Sequence, residues 1–197
     1  MIRKYLSFYG VAMLAFLISC NSNDAGTTIS TGSTVESDSA NTNVYGPNHT
    51  NSLPLSSTDS TFVMEAASSS FMEVELGNFA QQKSRNQQVK DFGAMMVSDH
   101  QQAGNELKTI SGSRNMMAPD TMEKKHRAHV EMLRKVSAAN LDKQYMNMMV
   151  TAHNEDISKF ERAASSASDQ QIRVFAEKTL QSLRKHRDSA QAINSRL

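Results

Sequence analysis

The sequence predicts an all-α domain built as a four-helix bundle, with a short extra helix between helices 2 and 3. Residues 61–197, the predicted bundle domain, contain a single proline and no tryptophan, and eleven of the thirteen methionines lie there. Four long segments of this region repeat apolar residues with the period of a helix. The connections between helices 1 and 2 and between helices 3 and 4 are tight. The connection between helices 2 and 3 spans roughly 27 residues, which is enough to hold a shorter helix.

The first two long helices are predicted near residues 60–83 and 86–112. Arg85 and Asn86 interrupt the apolar pattern between them, and Gly112 suits a C-terminal cap. The apolar stripe of the first consists of Phe62, Ser69, Met72, Leu76, Phe79 and Ala80, and that of the second of Val89, Phe92, Met95, Met96, Ala103, Leu107 and Ile110.

The shorter helix is predicted near residues 119–137, because Pro119 suits the first turn of a helix. Asn140 is a favourable N-cap for the third long helix, near residues 140–166. The fourth long helix is predicted near residues 168–194. The stripes of these two consist of Met146, Met149, Val150, Ile157, Phe160 and Ala164, and of Ile172, Phe175, Thr179, Leu183, Ala190 and Ile193.

Helix lengths decide the predicted topology. The long helices, of about 24 to 27 residues, extend roughly 36–40 Å, and the shorter helix extends roughly 28 Å. A connection of that length returns the chain along the bundle, so helices 2 and 3 run parallel. This is the ferritin-like arrangement of a four-helix bundle. A simple up-and-down array of five helices is the alternative.

The N-terminus is typical of a bacterial export signal. Arg3 and Lys4 precede a short apolar run at residues 6–17, which is too short to span a bilayer. Cys20 follows in the position of a lipoprotein cysteine. We therefore predict a signal peptide at residues 1–19 and lipidation of Cys20, the only cysteine in the chain.

Residues 20–60 are predicted as the lipidated cysteine followed by a disordered tether. Ser, Thr and Asn make up 22 of residues 21–60, and Lys and Arg are absent from them. Such a segment cannot bury enough apolar surface to offset its ordering entropy. The expected location is the bacterial cell envelope, with the lipid in the outer membrane and the protein facing the periplasm.

The charge pattern of the bundle domain argues against nucleic-acid binding. Residues 61–197 carry 19 Lys and Arg against 16 Asp and Glu, and the two signs are interspersed. No basic run with neighbouring aromatic residues is present. The predicted partner is thus the membrane, through the lipid anchor, and the sequence indicates no particular protein partner.

Ionisable residues lie within the apolar stripes. Two similar phrases, MMVSDH and MMVTAH, end in His100 and His153. Asp99 is predicted at the centre of its stripe, with His100 toward the edge, whereas His153 and His186 are central and Glu73 borders the inner face of the first helix. All five fall near the middle of the bundle, at roughly one level.

We interpret these side chains as a buried polar network that fixes helix register without catalysis, because buried polar groups pair with one another. The wider network is predicted to include Tyr145, Glu106, His126 and His129. No long helix carries the Glu-x-x-His unit of di-iron bundles, and the chain has no phosphate loop or nucleophile elbow.

The alternative interpretation is a metal site. An inward ionisable residue from each long helix, at one level, is how bundle cores build such sites. The candidate ligands are Glu73, Asp99, His100, His153 and His186, and the candidate ion is a transition metal: iron, copper or zinc. The role would then be metal handling or stress protection in the envelope.

Several motifs together resemble one bacterial family. They are Glu73-Val74-Glu75-Leu76-Gly77, Asp99-His100, Asn105-Glu106-Leu107, Tyr145-Met146, His153 and His186. Over about residues 62–190 the chain resembles the domain-of-unknown-function family 4142, which is grouped with ferritin-like bundles and often labelled "putative outer membrane protein". The resemblance implies a helical bundle that is exported or lipid-anchored. It implies no established activity.

Overall fold

The computed structural model describes residues 53–197, and over this range the chain forms five helices and no strand. They are α1 (Ser57–Lys83), α2 (Gln87–Gly112), α3 (Lys124–Arg134), α4 (Leu141–Ser166) and α5 (Gln170–Asn194). The predicted all-α fold is confirmed, and the four long helices end at the predicted residues. Among the described helices, none is long and apolar enough to cross a membrane.

The predictions for the N-terminal segment lie largely outside the described residues. The signal peptide at residues 1–19 and Cys20 belong to that part of the chain. The end of the predicted tether is described, and it differs from the prediction: α1 already begins at Ser57, because the Ser56 hydroxyl accepts from the backbone N–H of Asp59 and caps the helix.

Helices α1 and α4 run antiparallel. Glu73 on α1 lies 3.4 Å from His153 on α4. Ser69, four residues before Glu73 on α1, donates to Asp156, three residues after His153 on α4. Residue numbers therefore rise in opposite directions along this pair. Each hairpin, α1 with α2 and α4 with α5, is also antiparallel, so α2 and α4 run parallel as the ferritin-like arrangement requires.

Contacts between α2 and α5 agree with this topology. Asp99 on α2 pairs with His186 on α5 at 2.8 Å, and seven residues further along α2, Glu106 pairs with Lys178. The two hairpins thus pack with α1 against α4 and α2 against α5.

The crossover helix α3 is shorter than predicted. It begins at Lys124 rather than Pro119 and ends at Arg134 rather than residue 137. Residue 123 is held by a tertiary contact, because its backbone N–H donates to the Ser68 hydroxyl of α1 at 2.7 Å. The helix begins directly after this contact, and residues 119–123 stay irregular. A favourable first-turn proline permits a helix start without determining one.

A polar layer divides the apolar core into two clusters. The side chains of Glu73, His100, His153 and His186 lie in the layer. One cluster contains Met72, Leu76, Phe92, Met96, Tyr145, Met146 and Met149, and the other contains Val63, Leu107, Ile157, Phe160, Ile172, Phe175 and Leu183. On α2, α4 and α5, apolar residues of one cluster precede the polar residue and those of the other follow it.

A buried carboxylate holds the α4–α5 turn against the start of α1. Asp59 is 1% exposed and accepts from the backbone N–H groups of Ser168 and Asp169, at 3.2 Å and 2.9 Å. The Asp169 side chain in turn caps α5 by accepting from the N–H of Ile172, and it pairs with Arg114 at 2.6 Å. These contacts join three helices at one end of the bundle.

The α1–α2 hairpin contains a close backbone approach at two glycines. A Cβ atom on Gly77 would lie 2.7 Å from the carbonyl oxygen of Gly93, and a Cβ atom on Gly93 would lie 2.7 Å from that of Gly77. Side chains at either position would push the two helices apart. Absence of a Cβ at these positions sets the separation of α1 and α2.

The substitution Gly93→Ala is therefore expected to destabilise the protein. Alanine favours a helix by about 1 kcal/mol over glycine, but overpacking against a rigid carbonyl costs about 1–3 kcal/mol. We expect the free energy of unfolding, measured in urea, to fall by about 1 kcal/mol, the middle of the difference between these two terms. Gly104→Ala is the matched control, since its Cβ would meet nothing closer than 3.9 Å and it should stabilise the helix. A gain in both variants would contradict the close approach.

Candidate functional site

The polar layer receives one side chain from each long helix. α1 contributes Glu73, α2 contributes His100, α4 contributes His153 and α5 contributes His186. All four are buried, none more than 5% exposed. The three histidines, here called the histidine trio, meet across the axis of the bundle at one level, which the sequence could only suggest from helix midpoints.

The histidine trio forms a compact triangle. The ring centroids of His100, His153 and His186 are separated by 5.4–5.6 Å. One ring nitrogen of each lies within 4.8 Å of the corresponding nitrogens of the other two. Three imidazoles at this spacing are a donor set that suits a transition-metal ion.

Two rings of the trio are oriented by hydrogen bonds on one nitrogen. His153 Nδ1 donates to the carbonyl oxygen of Met149 at 2.8 Å, and His186 Nε2 donates to Asp99 Oδ2 at 2.8 Å. Because a carbonyl and an ionised carboxylate can only accept, these nitrogens carry the protons. In the neutral rings, the opposite nitrogens therefore present lone pairs.

Glu73 faces two rings of the trio, those of His100 and His153, without fully bonding to them. Its Oε2 lies 3.0 Å from His100 Nδ1, and its Oε1 lies 3.4 Å from His153 Nδ1. Neither carboxylate oxygen has a hydrogen-bond partner of good angular geometry among the described residues. The carboxylate thus lies between two rings and retains acceptor capacity.

The opposite nitrogens of the trio are buried without partners. His100 Nε2, His153 Nε2 and His186 Nδ1 have no hydrogen bond to any described residue. Buried polar atoms in native proteins are almost always paired. Three nitrogens on one cluster of rings therefore have hydrogen-bonding or ligating capacity that no described protein group uses.

Electrostatics distinguish Glu73 and His100, which favour each other's charged forms, from the other two rings. Burial favours the protonated form of Glu73, but the nearby His100, with smaller contributions from His153 and His186, lowers the pKa of Glu73 to about 2. Burial disfavours protonation of His100, yet the Glu73 carboxylate outweighs it and raises the pKa of His100. At neutral pH, Glu73 is therefore ionised, and its charge favours the protonated form of His100.

The remaining two rings stay neutral. Burial lowers the pKa of His153 below its ordinary value. Burial, followed by the charge of His100, lowers the pKa of His186 from 6.5 to about 4. A neutral imidazole is the form that binds a metal ion.

These shifts predict an acid-sensitive fold in the absence of metal. Between pH 6.5 and about 4 the unfolded chain binds a proton at His186 and the folded chain does not. The unfolding free energy should therefore fall as the pH is lowered through this window, and His186 should contribute up to about 1.4 kcal/mol per pH unit to that fall. His100 acts in the opposite direction. Because Glu73 raises the pKa of His100, the stability that this contact contributes is lost as the pH rises above 6.5.

Urea unfolding of the chelator-treated protein at pH 7, 6, 5 and 4 measures how the unfolding free energy changes with pH. His186→Gln removes the titrating ring, so its unfolding free energy should change less steeply with pH over this window than that of the parent. Equal slopes in the two proteins would show that His186 titrates normally in the folded chain.

Asp99 and His100 exchange their predicted positions. The Asp99 side chain is 41% exposed, whereas His100 is buried. The buried face of α2 includes Gly93, because α1 packs directly on its backbone. When Gly93 is included in the buried face of α2, the centre of that face shifts by about one residue along the helix, toward His100. Asp99 still contacts the trio, through His186.

Two members of the predicted wider network stand apart from it. Tyr145 is fully buried and packs edge-on against Phe92, but its hydroxyl has no hydrogen-bond partner among the described residues. Glu106 is half-exposed and pairs with Lys178 at 2.8 Å instead of reaching the polar layer. It lies on the α2 face that meets α5 near solvent.

The α3 histidines belong to a separate contact. His126 is buried and its Nδ1 bonds with the Ser68 hydroxyl of α1. His129 is half-buried, and its Nδ1 has no hydrogen-bond partner in the described chain. Because α3 packs outside the four long helices, neither residue joins the histidine trio, and the predicted single network divides into two.

Asp156 is a buried acid that the sequence prediction missed. It is 3% exposed, accepts from Ser69 at 2.6 Å and from Lys159 at 3.1 Å, and lies one turn beyond His153 on α4. Burial, followed by the charge of Glu73, raises the pKa of Asp156. Its spacing of three residues from His153 was the signal that could have identified it.

Comparisons with known proteins concern the family and the fold. Residues 46–193 match the family described as "Domain of unknown function (DUF4142)". A solved DUF305 fragment from Deinococcus radiodurans is 12% identical, with a TM-score of 0.65, over 73% of this chain and 99% of that chain. A conserved hypothetical protein from Mycobacterium tuberculosis is 15% identical, with a TM-score of 0.55, over 71% and 92%. No curated protein matches. The two solved structures share the helical fold with this chain.

Proposed function

Because the chain belongs to the family described as "Domain of unknown function (DUF4142)", whose description assigns no activity, we propose a function from the site itself. The bundle binds one divalent first-row transition-metal ion through His100, His153 and His186. The observation that carries this proposal is the pattern of the ring nitrogens: each buried ring has one nitrogen beside an acceptor and the other without a partner.

That pattern is the arrangement of metal-binding histidines. A ligating histidine almost always donates its other N–H to a carboxylate, a backbone carbonyl or water, which fixes the ring and its tautomer. Here Glu73, the Met149 carbonyl and Asp99 hold those positions. Glu73 and Asp99, which the sequence suggested as ligands, would therefore act as partners of the ligand rings.

The spacing of the trio is compatible with a bound ion. Ligands about 2.0–2.1 Å from a tetrahedral Zn²⁺ lie roughly 3.3 Å apart, whereas one nitrogen of each trio ring lies within 4.8 Å of one nitrogen of each of the other two rings. Closing that difference requires each ring to shift by about 1 Å. Three imidazoles leave a fourth position for water. Imidazole donors suit Zn²⁺ and Cu²⁺ above the harder divalent ions.

Charge also favours a cation at this place. Ionised Glu73 supplies one negative charge to a buried layer, and a divalent ion would be a counter-charge for it. Because ligating imidazoles must be neutral, protons compete with the ion for the trio, and affinity should fall as the pH is lowered.

We place this binding in the cell envelope. The export-signal pattern and Cys20 support a lipid anchor, and the Ser-, Thr- and Asn-rich segment supports a tether that extends the bundle from an outer membrane into the periplasm. Metal storage, delivery or protection against metal stress are the roles that such a single-ion site can serve there.

The test is metal binding by the full chain, purified without a metal-affinity tag and first treated with chelator. We expect equilibrium dialysis against Zn²⁺ or Cu²⁺ to give one ion per chain, and we expect the thermal midpoint to rise with free metal. The affinity, measured at pH 7 and again at pH 6, should be lower at pH 6. Substoichiometric metal and a melting curve that metal leaves unchanged would reject the proposal.

A second candidate is the non-catalytic polar network. Two buried contacts favour it: the Glu73–His100 ion pair at 3.0 Å joins α1 to α2, and the hydrogen bond from Ser69 to Asp156 at 2.6 Å joins α1 to α4. Such contacts fix the register of neighbouring helices. This candidate predicts a metal-independent melting curve, so the same experiment separates the two.

A further inference from the structure

We propose that the metal ion reaches the histidine trio through the cleft between α2 and α5, with Asp99 as the first carboxylate it meets. This inference rests on the proposed function. The α2–α5 cleft is a cavity of about 140 Å³, and its lining includes Asp99, His100, Glu106, Lys178, Ser182 and His186.

The cleft connects solvent with two members of the trio. His100 and His186 both line it, and each has a buried nitrogen without a partner. At its mouth, the half-exposed Asp99 side chain touches His186 at 2.8 Å. One carboxylate thus contacts both water and a candidate ligand, which no other acidic residue lining the cleft does in the described chain.

The charges of the cleft suit a cation. Asp99 and Glu106 are negative, and Lys178 pairs with Glu106 at 2.8 Å. The three together leave one net negative charge, which raises the local concentration of cations and their association rate at low ionic strength. Lys178 is the one Lys or Arg side chain in the lining, and it opposes this attraction.

A second opening is less suitable. A larger cavity, of about 570 Å³, lies between α1 and α2 beside residues 118–120 and also reaches His100. Its lining contains no other histidine of the trio, and its single acid, Asp120, is offset by Lys108. An ion arriving there meets one candidate ligand and no net charge.

A route and a binding site are distinguished by kinetics. Obstructing the only path to an otherwise unchanged site slows association and dissociation by the same factor, because the dissociation constant depends on the end states alone. Ser182 is exposed and lines the α2–α5 cleft, so Ser182→Tyr places a ring over its mouth. Asn105 is exposed and lines the other cavity, so Asn105→Tyr is the matched control.

The experiment measures Zn²⁺ association and chelator-driven dissociation by stopped flow, on the full chain. We expect Ser182→Tyr to slow both rates about tenfold with an unchanged dissociation constant, and Asn105→Tyr to leave both rates within twofold. Lys178→Gln is an independent variant with no bulk, and it should speed association about threefold at low salt and less at high salt.

The possible outcomes separate the route from the site. If Asn105→Tyr slows the rates instead, or if neither tyrosine does, the α2–α5 route is wrong even though the ion binds. An unchanged or slower association rate in Lys178→Gln would also count against it. If the parent chain binds no Zn²⁺ at equilibrium, the proposed function fails and the route fails with it.

Discussion

Replacing His153 with glutamine is expected to weaken Zn²⁺ binding by at least about 100-fold, or about 2.7 kcal/mol. His153 is fully buried, its Nδ1 is held by the Met149 carbonyl, and its Nε2 has no partner. Loss of a partner outside the ligand shell typically costs 10–100-fold in affinity, so removal of a ligand itself should cost at least the upper end of that range.

His126→Gln is the matched control for this prediction. His126 is another buried histidine, but it bonds to Ser68 on the side of α1 that faces α3, away from the trio. Both variants exchange a buried ring for an amide, so both should lose some stability without metal. Only His153→Gln should lose metal affinity in competition titrations. Equal affinities in the two variants would mean that His153 is not a ligand.

Replacing Asp59 with alanine is expected to lower the unfolding free energy by about 3 kcal/mol. The carboxylate accepts two backbone hydrogen bonds, from Ser168 and Asp169, at a buried position. Hydrogen bonds to a charged group contribute about 1.5–3 kcal/mol each, and the variant leaves two N–H groups without their acceptor. The effect should appear as a lower urea midpoint with an unchanged slope.

Asp91→Ala provides the comparison. Asp91 is also in the first turns of its helix, but it is exposed and accepts only from Gln87 on the same helix. A surface change of this kind should alter stability by no more than about 0.5 kcal/mol. Asp59→Asn keeps an acceptor oxygen and should fall between the two. A loss below about 1 kcal/mol in Asp59→Ala would show that the α4–α5 turn holds without it.

The polar layer makes the metal-free bundle costly to assemble. Glu73 and the trio occupy the centre of the core, where apolar side chains would pack without a desolvation penalty. The histidine nitrogens without partners add to that cost. A bound cation would offset both terms. This gives a physical reason to expect the metal-free protein to be less stable than the metal-bound protein.

The helices could be predicted from the sequence because their signals are local. Apolar spacing and cap residues act within a few positions of the chain, and the four long helices end where the pattern ends. The α3 helix was placed less well, since its start is fixed by the bond from residue 123 to Ser68. A contact between residues so far apart in the chain leaves no local signal.

The lipid anchor and the envelope location remain predictions from the N-terminal sequence. The residues that carry them precede the described part of the chain. They depend on the short apolar run and on Cys20, and they are independent of the geometry of the bundle. A metal site would be unaffected if the anchor were absent.

By itself, the sequence determined that four long helices form, that they pack as one bundle, and that Glu73, Asp99 and three histidines fall near its middle. Only the tertiary structure decided which of them share the interior. Rotating a helix by one residue moves a side chain by about 100°, and the rotation of α2 depends on the contact between Gly77 and Gly93. That contact buries His100 and turns Asp99 toward solvent, where its carboxylate pairs with His186.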